Sequence, residues 1–203
     1  MTILWDWNGT LLDDTRQCVD ALNDLLARRS LPPITLEYHR RFFAFPARDF
    51  YATIGMDLES EDWDALAKEY HDAYHSRPAR LAPDAVEALD LAKRLGFHQH
   101  IVSALRQDFL DEAVKGMGID GYFAGLCGSD NLDGASKMDR AKAYVRDLEP
   151  DDFVLIGDSI HDKEVADAIG ARCLLYGGGS HAPERLFGIA PVFNSLVDAV
   201  SFC

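Results

Sequence analysis

From Asp84 to Tyr176 the chain switches back and forth between two periods. Helical stretches closed by glycine (Asp84 to Leu95 before Gly96, Gln107 to Met117 before Gly118, His161 to Ile169 before Gly170) alternate with short apolar runs (Phe97 to Ser103, Phe123 to Cys127, Phe153 to Gly157, Arg172 to Tyr176), and one further helix spans Lys137 to Leu148. Alternation of this length predicts a parallel sheet covered on both faces, because a strand buried on both sides reads as a continuous apolar run. One more such run, Thr2 to Asp6, stands alone at the N-terminus and stops at the turn residues Asn8-Gly9-Thr10. Between it and the alternating part, roughly residues 15 to 77 read as helix after helix. Val19, Leu22, Leu25 and Leu26 recur at helical spacing, Leu31-Pro32-Pro33 breaks the pattern, Thr35 opens a new helix, and Pro46 interrupts again. Trp63, Leu66, Ala67, Tyr70 and Tyr74 form one stripe of a helix over Glu61 to His75, and are expected to be core. The economical reading is an α/β core of residues 1–13 and 80–203, with an α-helical insertion, 14–79, after the first strand.

The chain has 203 residues, room for one large domain or a medium one with an insertion. With 48% hydrophobic and 27% charged residues it reads as a globular protein. No apolar run approaches a membrane span, and the N-terminus lacks the basic leader of a signal peptide. Cys18, Cys127, Cys173 and Cys203 are scattered, without metal-ligand or disulfide spacing, and are read as reduced thiols of a cytoplasmic protein. A net charge of −14 makes nucleic acid and anionic membrane poor partners. It also repels an anionic substrate at long range, so a phosphate site must be made attractive locally.

Ligand sites in open parallel sheets lie at the carboxyl ends of the strands. The first strand ends in Asp6, the next in Ser103, and Phe153 to Gly157 runs into Asp158-Ser159-Ile160-His161-Asp162, while Lys137 opens the helix before that strand. Carboxylates there suit Mg²⁺, a hard cation that takes one or two of them with water and substrate phosphate; Asp6 and Asp158 are the candidates. Asp6 is also a candidate nucleophile, since aspartate forms aspartyl phosphates. Ser103 and Lys137 are placed to hold phosphoryl oxygens, as positioning and charge stabilisation require. Asp162 is assigned either to the metal or to orienting Lys137 or a metal-bound water.

Asp6-Trp7-Asn8-Gly9-Thr10-Leu11, Ser103, Lys137 and Gly157-Asp158-Ser159-Ile160-His161-Asp162, taken in order, resemble the motifs of the haloacid dehalogenase superfamily. The plan is most similar to phosphoglycolate phosphatase-like members, whose small helical cap sits where this insertion sits. The resemblance implies a Rossmann-like core, Mg²⁺ dependence, Asp6 as nucleophile and the main-chain carbonyl of Asn8 as a metal ligand. Trp7, Thr10 and Ala104 are expected to bind substrate, the amide of residue 104 through phosphate, and the resemblance implies a small phosphorylated metabolite as substrate. Lys137 and the acids of 157–162 suit phosphate and metal better than halide.

Asn8 departs from that pattern. The phosphatases of the family usually carry there an aspartate that protonates the leaving oxygen and then activates water; asparagine carries no such proton. Loss of a general acid–base costs about 10²- to 10⁴-fold. A substrate with a good leaving group, a substitute such as His161 or Asp13, a phosphotransferase, or a weakly active phospholigand-binding protein would each accommodate the change. Asn8→Asp is expected to raise hydrolysis of alkyl phosphates. Ala104 replaces a common asparagine but keeps its amide, and Met138 replaces a common proline after Lys137. In the insertion, His39-Arg40-Arg41-Phe42-Phe43 and Arg48 are the basic spot; Arg48, after Pro46, is the candidate contact to the substrate's second anionic group. Gly177-Gly178-Gly179 lacks a following Lys-Ser/Thr and reads as a turn, not a P-loop.

Overall fold

The computed structural model describes residues 1–130, 136–148 and 152–203. Six parallel strands, β1 (Thr2–Trp5), β2 (His98–Arg106), β3 (Gly125–Ser129), β4 (Phe153–Gly157), β5 (Arg172–Tyr176) and β6 (Val192–Phe193), form one sheet in the order β3-β2-β1-β4-β5-β6. The chain builds outward from β1 on one side through β2 and β3. It then crosses to the other side for β4, β5 and β6, so the strand order reverses at β1 and β4. That reversal opens the crevice in which such sheets bind ligands.

Each central strand splits its side chains between two cores, as the two-residue period requires. Ile3, Trp5, Val154 and Ile156 face a cluster with Ala85, Leu89, Leu110 and Leu196, carried by α5 (Ala85–Arg94), α6 (Gln107–Gly116) and α10 (Leu196–Phe202). Leu4, Leu155, Cys173 and Leu175 face the opposite cluster with Ala141, Val165 and Ala166, carried by α7 (Lys137–Arg146) and α8 (Ile160–Ile169). Full burial on both faces is why these strands read as unbroken apolar runs. The short α9 (Pro183–Leu186) and the two-residue β6, absent from the sequence reading, lie beyond the last long apolar run.

A third cluster belongs to the helices between β1 and β2. These are α1 (Thr15–Arg28), α2 (Leu36–Phe42), α3 (Ala47–Thr53) and α4 (Trp63–His75). Leu22, Leu25 and Leu26 of α1 pack with Phe50, Tyr51, Leu66 and Tyr74. Thr35 caps α2 by accepting from the Tyr38 amide at 3.0 Å, and Asp62 caps α4 through the amides of Asp64 and Ala65. The chain leaves for these helices and returns from them side by side. Leu12 and Leu81 form an antiparallel bridge, and the Ala82 amide donates to the Leu11 carbonyl at 2.8 Å. A second tie runs from α2 to the segment after β5. Arg40 donates to the Gly177 carbonyl at 2.6 Å, and Arg185 donates to the Phe43 carbonyl at 2.6 Å. The helices are thereby held over the carboxyl ends of β1 and β4. No helix among the described residues is long and apolar enough to cross a membrane.

Candidate active site

Asp6 is the first residue past β1 and is held by its own amide, which donates to the Ile156 carbonyl at 2.8 Å. Its carboxylate is 2.5 Å from Lys137 Nζ, and the same ammonium donates to Asp162 at 2.6 Å. Lys137 is the first residue of α7 and is 3% exposed, so this is a fully desolvated triad of two acids and one base. Asp162 spends its second oxygen on α8. Oδ2 accepts from the Ser159 amide, the Ser159 hydroxyl and the Asp158 amide, which closes a capping box at the helix start. Both Asp162 oxygens are therefore occupied, which suits orienting Lys137 better than direct metal ligation.

Asp158 follows β4 and is bracketed from the far side. The Ser180 hydroxyl donates to its Oδ2 at 2.6 Å, joined by the Ser180 amide. That contact needs Gly179, where a Cβ would come within 2.2 Å of Asp158 Oδ2. The triple-glycine segment thus serves close backbone approach to a carboxylate, a role not legible from its failure to match a P-loop. Gly9 meets the same acid from the other side. Its φ is +77°, and a Cβ there would come within 2.5 Å of Asp158.

Between Asp6 Oδ2 and Asp158 Oδ1 sits the Thr10 hydroxyl, 3.3 Å from one and 3.2 Å from the other. One hydroxyl proton serves two carboxylate oxygens, so one of them always lacks a donor. Ligand oxygens of Asp6, Asp158 and Asp162 lie within 4.8 Å of one another, all buried. Three carboxylates face one ammonium, and the imbalance registers in their acidities. Burial, then repulsion from Asp162, pushes Asp6 well above the usual carboxylate range despite Lys137. Burial and Asp162 likewise raise Asp158 to about 6. Burial works against ionised Asp162 too, but Lys137 and Ser159 prevail and hold it below its ordinary value. This donor set, all hard oxygen and short of positive charge, fits a small divalent cation.

The remaining expected site residues divide. Ala104 lines the cavity that opens from Asp6. Ser103 is buried next to it, with its hydroxyl accepting from the Leu105 amide at 3.0 Å. Thr10 is absorbed between the two carboxylates. The Trp7 indole is wholly buried in the core and does not line the cavity, so only its backbone is available to a ligand. Arg48 is exposed and lies over the outer face of Trp63, 5.6 Å from the ring centroid. It does not reach the cavity, because the helical turn after Pro46 directs it outward. Neither suggested proton carrier is there either: Asp13 pairs with Arg80 at 2.8 Å, and His161 with Glu164 at 3.2 Å.

Asp14 is what sequence reasoning missed. It is 1% exposed and lines the cavity. It accepts from Asn8 Nδ2 at 2.7 Å, the Tyr74 hydroxyl at 2.6 Å and the Gly9 amide at 2.8 Å. Burial raises its pKa above the ordinary carboxylate value although all three donors oppose it. In the sequence it is one of two adjacent acids ahead of a helix; only the apolar pattern of α1, which turns this helix end inward, hints at which one is buried.

A family model described as haloacid dehalogenase-like hydrolase matches residues 3–176. The chain belongs to that family. Phosphoglycolate phosphatase of Caulobacter vibrioides is 28% identical over 218 residues, spanning 100% of this chain and 90% of that one. The fold superposes on a predicted phosphatase from Clostridium acetobutylicum with a TM-score of 0.82 at 20% identity, covering 99% and 96% of the two chains. It superposes on Protein Tyrosine Kinase A of Mycobacterium tuberculosis with a TM-score of 0.79 at 20% identity, covering 98% and 97%. Those two likenesses show a shared fold and nothing more; the chemistry is argued from the site.

Proposed function

We propose that this haloacid dehalogenase-like hydrolase is a Mg²⁺-dependent phosphatase of a small phosphorylated metabolite that works through an aspartyl phosphate on Asp6. The observation that carries this reading is the cluster at the strand reversal: Asp6 and Asp158 share one hydroxyl donor, with Lys137 and Asp162 behind them. Asp6, Asp158 and the Asn8 carbonyl would hold the cation, which supplies charge neutralisation for the phosphoryl oxygens when bound. Asp6 attacks phosphorus, the bond to the leaving oxygen breaks and the departing alkoxide takes a proton from water, and Lys137 and the amide of residue 104 hold the phosphoryl group. Water then cleaves the acyl phosphate, releasing inorganic phosphate and restoring the carboxylate. Residues 14–79 act in this reading as a cap that excludes bulk water. The relatives named phosphoglycolate phosphatase support the reaction class.

Rapid-quench kinetics on a phosphate ester test it. Phosphate release is expected to require Mg²⁺, to stop with a chelator, and to pass through an acid-precipitable phosphoenzyme that decays. A phosphoenzyme that persists until an acceptor alcohol is added would make the protein a phosphotransferase; absence of both would make it a phospholigand-binding protein.

The bond between Asn8 and Asp14 changes what a single substitution at position 8 can do. Asn8→Asp alone sets a carboxylate 2.7 Å from that of Asp14, where like charges repel. The pair Asn8→Asp with Asp14→Asn preserves the hydrogen bond and the Gly9 contact while giving position 8 a proton to exchange. The single variant is expected to lower the melting temperature. The pair is expected to restore it and to raise kcat on an alkyl phosphate by about 10²-fold. A pair no faster than wild type would show that the proton at position 8 does not limit the rate.

A further inference from the structure

The cavity that opens from Asp6 has a volume of about 180 Å³ and two unlike ends. One end is the acidic cluster with Lys137. The other is built by the helices, and Phe43, Phe45, Tyr51, Trp63, Tyr70 and Tyr74 line it. Five of these rings serve two purposes at once: Tyr51 and Tyr74 belong to the buried cluster of the helical block, and Phe43, Trp63 and Tyr70 pack against that cluster while walling the cavity.

The helical end lacks a fixed cation. Among the described residues, Lys137 is the one lysine or arginine of the lining, and it is engaged by Asp6 and Asp162. The arginines of the basic spot in the insertion are committed elsewhere: Arg40 to the Gly177 carbonyl, Arg41 over the Phe42 ring, Arg48 over Trp63. His39 is buried and held neutral, its pKa lowered to about 3 first by burial and then by His181 and Arg185. His71, the remaining basic side chain of the lining, lies ring to ring with Tyr70 and His75. Asp14 presents a carboxyl group, which opposes a second anion. A substrate carboxylate placed here would lose its hydration without gaining a permanent ion-pair partner. An apolar ring would replace water against aromatic faces. An apolar cavity of about 150 Å³ is enough to take up benzene, so the space suits a phosphoryl group with little more than one ring.

We infer that the substrate of this site is a phosphate monoester whose alcohol portion carries no charge and bears a single apolar ring, selected by Phe45, Trp63 and Tyr70, rather than a phosphorylated carboxylic acid. The inference rests on the phosphatase reading above and departs from phosphoglycolate, the substrate in the relatives' names.

Benzyl phosphate and phosphoglycolate test it, because both release a primary alkoxide and differ mainly in ring against carboxylate. With Mg²⁺ present, kcat/KM is expected to favour benzyl phosphate by about 10²-fold, the scale on which an apolar pocket discriminates by a few carbon atoms. Benzylphosphonate and phosphonoacetate, which cannot be hydrolysed, are expected to show the same preference by calorimetry. Trp63→Ala and Phe45→Ala, made separately so that one misfolded variant does not end the test, are expected to cut the benzyl-to-glycolate ratio about tenfold. Equal or better use of phosphoglycolate, a ratio unmoved in both variants, or tighter binding of phosphonoacetate overturns the inference. If no ester is turned over yet benzylphosphonate binds in preference, the phosphatase reading fails and the ring selectivity stands. Failure of both phosphonates to bind overturns the two together.

Discussion

Asp6→Asn is expected to abolish phosphate release while raising the melting temperature of the metal-free protein. The loss follows from removing the nucleophile. An amide does not form the acyl phosphate, and deletion of a nucleophile in an enzyme that works through a covalent intermediate costs about 10⁴- to 10⁶-fold. The gain in stability follows from the same position. Asp6 is buried beside Asp162 and Asp158, and both burial and those charges penalise its ionised form more than Lys137 rewards it. A carboxyl group whose folded pKa is raised stabilises the fold when protonated, and that contribution is lost as pH rises through the folded value. Asparagine does not titrate, keeps an oxygen for Lys137, and leaves that lysine its second partner, Asp162. The melting-temperature advantage of the variant should therefore be greatest at neutral and higher pH and shrink toward the ordinary carboxylate range. Thermal melts in chelator, paired with steady-state phosphate release, check both halves. A variant that is inactive and also less stable would mean that Asp6 holds the fold together instead of straining against it.

Lys137→Met has the opposite signature, losing activity and stability together. Lys137 joins Asp6 and Asp162, at 2.5 and 2.6 Å, where the three side chains are almost completely buried. Methionine fills similar volume but leaves two carboxylates facing each other without a cation. Breaking a buried pair by removing one partner costs about 3–5 kcal/mol, which for a chain of this size lowers the melting temperature by about 10 °C. Adding Asp162→Asn removes one of the stranded charges while keeping the oxygen that caps α8 through Ser159, so the double variant should regain much of the loss. Activity should not return, because the ammonium that balances phosphoryl charge is still missing. Calorimetric melts of the wild type and the two variants decide this. If the double variant is no more stable than Lys137→Met, the damage comes from packing at the start of α7 and not from charge.

The contrast between the two substitutions separates what each residue does from where it sits. Both lie in one hydrogen-bonded cluster, and a purely structural cluster would lose stability from either. Opposite signs in stability with equal loss of turnover mark a site in which one member is held against its preference for the sake of chemistry.

What the sequence determined by itself was the frame. Runs buried on both faces, punctuated by helices ending in glycine, require a parallel sheet. In such a sheet the ends of the runs land on a common edge, so Asp6 and Asp158 could be placed from period and length alone; Ser103, read as the end of its run, lies inside β2, which continues to Arg106. The helical insertion was equally legible, because Val19, Leu22, Leu25 and Leu26, and then Trp63, Leu66, Ala67, Tyr70 and Tyr74, recur at helical spacing. What only the tertiary structure decided was which side chains meet across that edge and across the insertion. Asp13 and Asp14 are neighbours of the same chemistry, yet one faces Arg80 at the surface and the other closes on Asn8 and Tyr74. Arg48 had the right charge for a substrate contact, but the turn that carries it sends it outside Trp63. Ser180 and Gly179, in a segment that matched no phosphate motif, bracket Asp158. Period fixes the face on which a residue lies; the partner it meets depends on how two elements, far apart in sequence, pack against each other. The proton that Asn8 lacks was a local fact of sequence, and the buried carboxyl group set against it was not.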